Sequence, residues 1–186
     1  MTPRQRRMMA DYNKIKENFT GSRYVRVEPL YGNPPEKYRV TFNLKGLCIE
    51  NGKIVERHQH IAEKTLTNEY PREKPKCNLL TPIWHPNFGS YICIGDHWAA
   101  GESLSDVIVQ IGDMIQYKEY NPKSPLNAQA ARWSVENKHL FPLSNIDIMN
   151  PAPEEDDFEI ILGDVTENTG NNNKNDDFDD IDIKFN

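Results

Sequence analysis

The chain of 186 residues contains no CxxC pair and only three cysteines, Cys48, Cys77 and Cys93. An odd, widely spaced set argues against a disulfide framework and for a reducing compartment. No apolar run is long enough to span a membrane, and no apolar stretch follows the basic N-terminus as a secretory signal would require. A cytoplasmic, soluble protein is the expectation. Structural zinc sites draw their ligands from closely paired residues. His85, Cys93, Asp96 and His97 offer one thiol without such a pair, and the ligands of His58-x-His60 stand alone, so neither set predicts a metal. No cofactor motif is present.

Charge is unevenly distributed. Residues 1–150 carry 20 Lys and Arg against 16 Asp and Glu, a net of +4; residues 151–186 carry 2 against 12, a net of −10. The acidic end should repel nucleic acid and favour basic protein surfaces. With its Asn171-Asn172-Asn173 run and scattered acids, the segment from 146 to 186 is expected to be a largely disordered tail following a folded domain at 1–145. Phe158 to Leu162 is an apolar island flanked by acids, suited either to strand addition on a partner or to no more than a solubilising extension.

Periodicity predicts a helix over residues 3–19, with Met8, Tyr12, Ile15 and Phe19 on its apolar side and Arg4, Arg6, Arg7, Lys14 and Lys16 on or near its polar side. Four strands are expected at Tyr24–Glu28, Tyr38–Leu44, His58–Leu66 and Cys77–Thr81. Tyr38, Val40, Phe42 and Leu44 share one face, and Asn51-Gly52 marks a hairpin between the second and third strands. His58 and His60, two apart on a strand, should face the same way. Ser103 as N-cap with Asp106 starts a second helix carrying Leu104, Val107, Ile108, Ile111 and Ile115. Asn121 to Pro125 breaks the chain. A shorter helix follows at about Asn127–Asn137 with Ala128, Ala131 and Val135 inward, and Leu140-Phe141-Pro142 closes the ordered part. Helix, antiparallel strands, an irregular segment and further helices make an α+β domain.

The segment from Pro82 to Glu102 is too rich in special residues for a connector. It holds the run Trp84-His85-Pro86-Asn87 and, eight positions after His85, Cys93. A thiol can form a covalent intermediate and an asparagine amide can donate to a developing oxyanion. Cys48 and Cys77, on or beside strands, read as buried structural thiols. Taken alone, Cys93 could be structural too, and Asn87 could simply cap the turn.

From about Pro3 to Leu143 the chain resembles the catalytic domain of ubiquitin-conjugating enzymes. The resemblance rests on Tyr70-Pro71 to Lys74-Pro75, on His85-Pro86-Asn87, on Ile92-Cys93, on Trp98, and on Asn121-Pro122-Lys123-Ser124-Pro125-Leu126, all in the family's order. It implies an N-terminal helix, a four-stranded antiparallel meander, an irregular active-site segment and two helices. The chain departs from the family in that the two C-terminal helices usual in eukaryotic members are expected to be missing, since Pro142 leads into the acidic tail. It implies that Cys93 accepts a ubiquitin-like protein as a thioester from an activating enzyme and passes it to an amine, usually a lysine. By the same resemblance Asn87 serves the oxyanion or orders the loop that does, His85 locks the turn, and Ser124 stands where many members carry an acid. Arg4, Arg6, Arg7 and Lys14 would dock the activating enzyme, with a ligase or target as a further partner and no role for nucleic acid or membrane.

The spacing from His85 to Cys93 is two shorter than usual in the family, so the loop is trimmed. Arg72 replaces an apolar ligase contact. The short, trimmed form resembles the bacterial-type homologues of ubiquitin-like operons, and Arg72 implies that a ligase of the zinc-binding type does not fit. A non-catalytic modifier-binding variant, a scaffold acting through its tail, and a cysteine hydrolase pairing Cys93 with His97 or His85 are the competing readings.

Overall fold

A computed structural model of the chain describes residues 1–95 and 98–150. Asp96, His97 and the stretch 151–186, with its apolar islands at Phe158 to Leu162 and Ile181 to Phe185, lie outside the described residues.

Helix α1 (Pro3–Phe19) starts at a capping box in which Thr2 and Gln5 satisfy each other's backbone, with Pro3 at the first helical position. Met8, Ile15 and Phe19 face the core as expected, and so does Asp11. This buried carboxylate accepts from Arg7 Nε at 2.7 Å, from Tyr70 Oη at 2.5 Å and from the Leu104 backbone N–H at 3.3 Å. One charged side chain thereby joins α1, the 70–75 loop and the second helix. A buried charge needs this degree of satisfaction.

The main sheet runs β1 (Val25–Gly32), β2 (Pro35–Phe42), β5 (His60–Thr65), β6 (Lys76–Leu79), each antiparallel to its neighbour. The four-stranded antiparallel meander is therefore present. Tyr38, Val40, Phe42 and Leu44 all point into the core, because period-two alternation puts one face of a half-covered sheet inward.

Several expectations are corrected. Asn51-Gly52 does not join two strands of the main sheet. Both residues have positive φ, 50° and 75°, and form the tight turn of a separate two-stranded ribbon, β3 (Gly46–Glu50) and β4 (Lys53–Arg57), inserted between β2 and β5. His58 and His60 do not share a face. His58 is exposed in a bend before β5, while His60 is buried and its Nε2 meets the Arg57 carbonyl at 3.0 Å.

Helix α2 (Leu104–Ile115) is the central core element. Its N-cap Ser103 and Asp106 form the expected capping box, and Leu104, Val107, Ile108, Ile111 and Ile115 are all buried. Helix α3 (Ala128–Glu136) is rotated from the expected phase. Ala131 is inward, but Ala130 and Ser134 accompany it, whereas Ala128 and Val135 are exposed. Its apolar residues are mostly alanines, which define a face weakly; Trp133 and the contacts of α3 with Tyr117 and Leu47 decide the rotation. The close at Pro142 also comes too early. Ile148 is buried beside Gly112, where a Cβ would meet its Cδ1 at 2.8 Å, and Lys118 Nζ donates to the Ile146 carbonyl.

Candidate active site

Two clusters hold the irregular segment. Trp84 packs with Leu47, Tyr117 and Ala130, and its backbone N–H donates to the Leu47 carbonyl at 2.6 Å. Four and eight residues on, Phe88 and Ile92 are buried in the main core and bridge to one another. Ile92 N–H also donates to the Cys77 carbonyl at 2.8 Å, which lays the segment beside β6. The short loop between two buried anchors brings Cys93 directly back to the turn: its N–H donates to the Asn87 carbonyl at 2.9 Å.

His85 lies beneath this turn, fully buried, with the Tyr117 ring centroid 4.6 Å and the Phe88 centroid 4.9 Å away. Its Nδ1 accepts from the Asn87 N–H at 3.1 Å. Its Nε2 lies 3.2 Å from the Glu119 carbonyl, so the bonding pattern assigns the neutral tautomer protonated on Nε2. Burial lowers its pKa to about 3. Both ring nitrogens are committed to backbone, which leaves His85 no capacity as a base or a metal ligand.

Asn87 is also buried. Its Oδ1 accepts from the Asn121 N–H at 2.7 Å, and its Nδ2 donates to the carbonyls of Asn121 at 3.0 Å and Ser124 at 3.3 Å. Of the two alternatives for Asn87, the geometry favours ordering the loop, because both its amide hydrogens have backbone acceptors. The Pro86 carbonyl completes the clamp by accepting from Leu126 and Asn127 N–H at 2.8 and 2.9 Å.

Asn87, Cys93 and Ser124 line one cleft, together with Gly95, Met114, Glu119, Tyr120 and Asn121. Cys93 is half-buried, whereas Cys48 and Cys77 are buried, and burial raises the pKa of both. Ser124 is exposed at the rim. Trp98 donates from Nε1 to the Pro71 carbonyl at 2.8 Å, and Lys74 Nζ reaches the Gly95 carbonyl at 2.6 Å. The 70–75 loop therefore braces both ends of the thiol segment.

The basic side chains of α1 divide. Arg4 donates to the Thr67 carbonyl at 2.9 Å and pairs with Glu36. Arg7 holds Asp11 and donates to the Ala100 and Glu102 carbonyls. Arg6 and Lys14 stay more available, although Lys14 approaches Asp106 at 3.7 Å. Glu119 and Tyr120 were missed by sequence reasoning. Their one signal is position, immediately before Asn121-Pro122.

Fold and site together define an α+β domain that presents one accessible thiol beside a loop locked by a buried asparagine. The chain belongs to the ubiquitin-conjugating enzyme family, whose sequence model matches residues 8–145. It is similar to ubiquitin-conjugating enzyme E2 1 of Caenorhabditis elegans, 27% identical over 146 residues, 75% of this chain and 70% of that protein. Ubiquitin-conjugating enzyme E2 27 of Arabidopsis thaliana is 32% identical over 83 residues, 41% of this chain and 42% of that one. The human E2 K is 32% identical over 85 residues, 42% of each. Against these last two the chain matches less than half the relative's length. A ubiquitin-conjugating enzyme domain from Toxoplasma gondii has the same fold, with a TM-score of 0.53 at 23% identity over 74% of this chain and 91% of that one. A Plasmodium yoelii structure described as a ubiquitin-conjugating enzyme gives 0.56 at 20% identity, over 76% and 90%.

Proposed function

We propose that Cys93 carries a ubiquitin-like protein as a thioester, received from an activating enzyme, and transfers it to an amine, usually a lysine, of a target. The observation that carries this reading is the direct bond from the Cys93 N–H to the Asn87 carbonyl. It sets the chain's accessible thiol against the loop that Asn87 locks, in a member of a family that works through such a thiol.

The first step needs a thiolate to attack the incoming thioester. The exchange replaces one C–S bond by another, so a partner that delivers an activated acyl group asks little acidity of Cys93. In the second step an amine attacks, charge builds on the carbonyl oxygen, and Cys93 leaves as thiolate. The Asn87-held loop supplies a fixed wall for that geometry, so little reorganisation is needed at the moment of reaction. Docking of the activating enzyme on α1 rests on Arg6 and Lys14, because Arg4 and Arg7 are engaged with the domain itself.

The test uses the full chain with ubiquitin, a ubiquitin-activating enzyme and ATP. A thiol-reducible adduct should form and disappear in Cys93→Ala, while Cys93→Ser should give only a reductant-resistant one. Failure to form any Cys93-dependent adduct overturns the reading.

A further inference from the structure

Transfer to an amine poses a proton problem that Ser124 does not solve. A lysine ammonium has a pKa of about 10.4 and must lose a proton before or during attack, and a serine hydroxyl is a poor acceptor for it. Among the described residues lining the Cys93 cleft there is one carboxylate, Glu119.

Its placement is built rather than incidental. The Glu119 backbone is pinned from below by the buried His85 Nε2. Its Oε1 accepts from Gln110 Nε2 at 2.8 Å, which ties the side chain to α2. Oε2 makes no hydrogen bond to another described residue. Glu119 also lines the neighbouring cleft with Ile94, Gly95, Val107 and Gln110, so it stands where the two clefts meet alongside Gly95, two residues after the thiol. The mobility of a surface glutamate is reduced by both ties, which lowers the entropy lost on engaging a substrate amine.

We infer that Glu119 is the catalytic carboxylate of the amine-transfer step: it binds the incoming ammonium and takes its proton. The assignment rests on the thioester reading above. The amine lone pair forms the C–N bond while the carbonyl π pair moves to oxygen. Of the two protons the ammonium loses on becoming an amide, the first goes to Glu119 before attack and on to water, and the second leaves the tetrahedral adduct directly to water. Collapse restores the C=O bond, breaks the C–S bond and releases Cys93 as thiolate. Thioester formation on Cys93 involves no amine and does not use Glu119.

Glu119→Gln is the informative variant, because the glutamine carbonyl can still accept from Gln110 and the backbone bond to His85 is untouched. The full chain is loaded with ubiquitin by its activating enzyme and ATP, then discharged onto free lysine or onto hydroxylamine, an amine already neutral near pH 7. The variant should load at the wild-type rate. Its discharge to lysine should slow by about 100-fold, the scale of a general base, and its discharge to hydroxylamine should change little. Raising the pH toward the lysine pKa should narrow the gap, and Glu119→Asp should recover part of the loss. Wild-type discharge to lysine by Glu119→Gln overturns the assignment, as does an equal loss with both nucleophiles, which would mark Glu119 as structural. Absence of any Cys93 adduct in the wild type would instead defeat the thioester reading itself.

Discussion

The Asn87 side chain holds the backbone of Asn121 from both sides, accepting from its N–H at 2.7 Å and donating to its carbonyl at 3.0 Å. Thirty-four residues of chain separate the two, and the same amide reaches Ser124. A single buried side chain therefore closes one wall of the cleft that contains Cys93.

Asn87→Ala should leave the Asn121 N–H and carbonyl without their partner. Asn121 is exposed and these bonds are part-buried, so water can reach its freed groups. The loss is that of the bonds themselves, about 0.5–1.5 kcal/mol each, and the variant should unfold at correspondingly lower denaturant. Thioester loading of Cys93 should persist, while discharge to lysine falls by tenfold or more as the loop loosens. Equal stability of variant and wild type in urea titrations would show that the clamp is replaceable by water.

The two buried imidazoles make stability pH-dependent on the acid side. Burial lowers His85 to about 3 and His60 to about 4, against about 6.5 in the unfolded chain. Below pH 6.5 the unfolded state binds protons that the folded state refuses. Stability is complete above that pH and declines as the pH falls toward 4. Each histidine contributes a slope of about 1.4 kcal/mol per pH unit. Urea unfolding at pH 7.5 and pH 5 should show the loss; a flat profile across that window would contradict the burial of both rings in neutral form.

Lys64 acts in the opposite pH region. It is wholly buried, its Nζ lies 3.4 Å from the Leu104 carbonyl, and it is the cross-strand partner of Cys77. Desolvation lowers its pKa to about 8, against about 10.4 unfolded. Between these values the unfolded state holds the extra proton, so this group's contribution improves as pH rises. Rising pH also ionises thiols in the unfolded chain, and burial raises Cys77 in the fold, which works the other way. Comparison with Lys64→Met isolates the lysine. The stability difference should shift toward the wild type by about 1.4 kcal/mol per pH unit from about pH 8 to 10.4. A difference independent of pH would mean that Lys64 stays charged in the fold.

Much of this was legible in the chain itself. The stripe from Leu104 to Ile115, the alternation from Tyr38 to Leu44 and the cap at Ser103 all depend on neighbours within one turn or two strand positions, and the structure shows them as expected. The misread parts share a cause. In α3 alanines carry too little apolar area to define a face, so Trp133 and its neighbours set the phase. At Asn51-Gly52 the turn was recognised, but the strands it joins were not, because turn chemistry is silent about which sheet a strand enters.

The sequence by itself determined the helices, the alternating strands, the family and the place of Cys93 after His85-Pro86-Asn87, since each is written in local periodicity or in an ordered set of motifs. Only the tertiary structure decided which groups each polar side chain spends its bonds on. It turned Arg4 and Arg7 inward onto carbonyls, closed both nitrogens of His85, committed the amide of Asn87 to a distant loop, and put Glu119 on the cleft. Those choices follow from which backbone groups are left without partners once the core has packed, and the partners lie tens of residues apart in the chain.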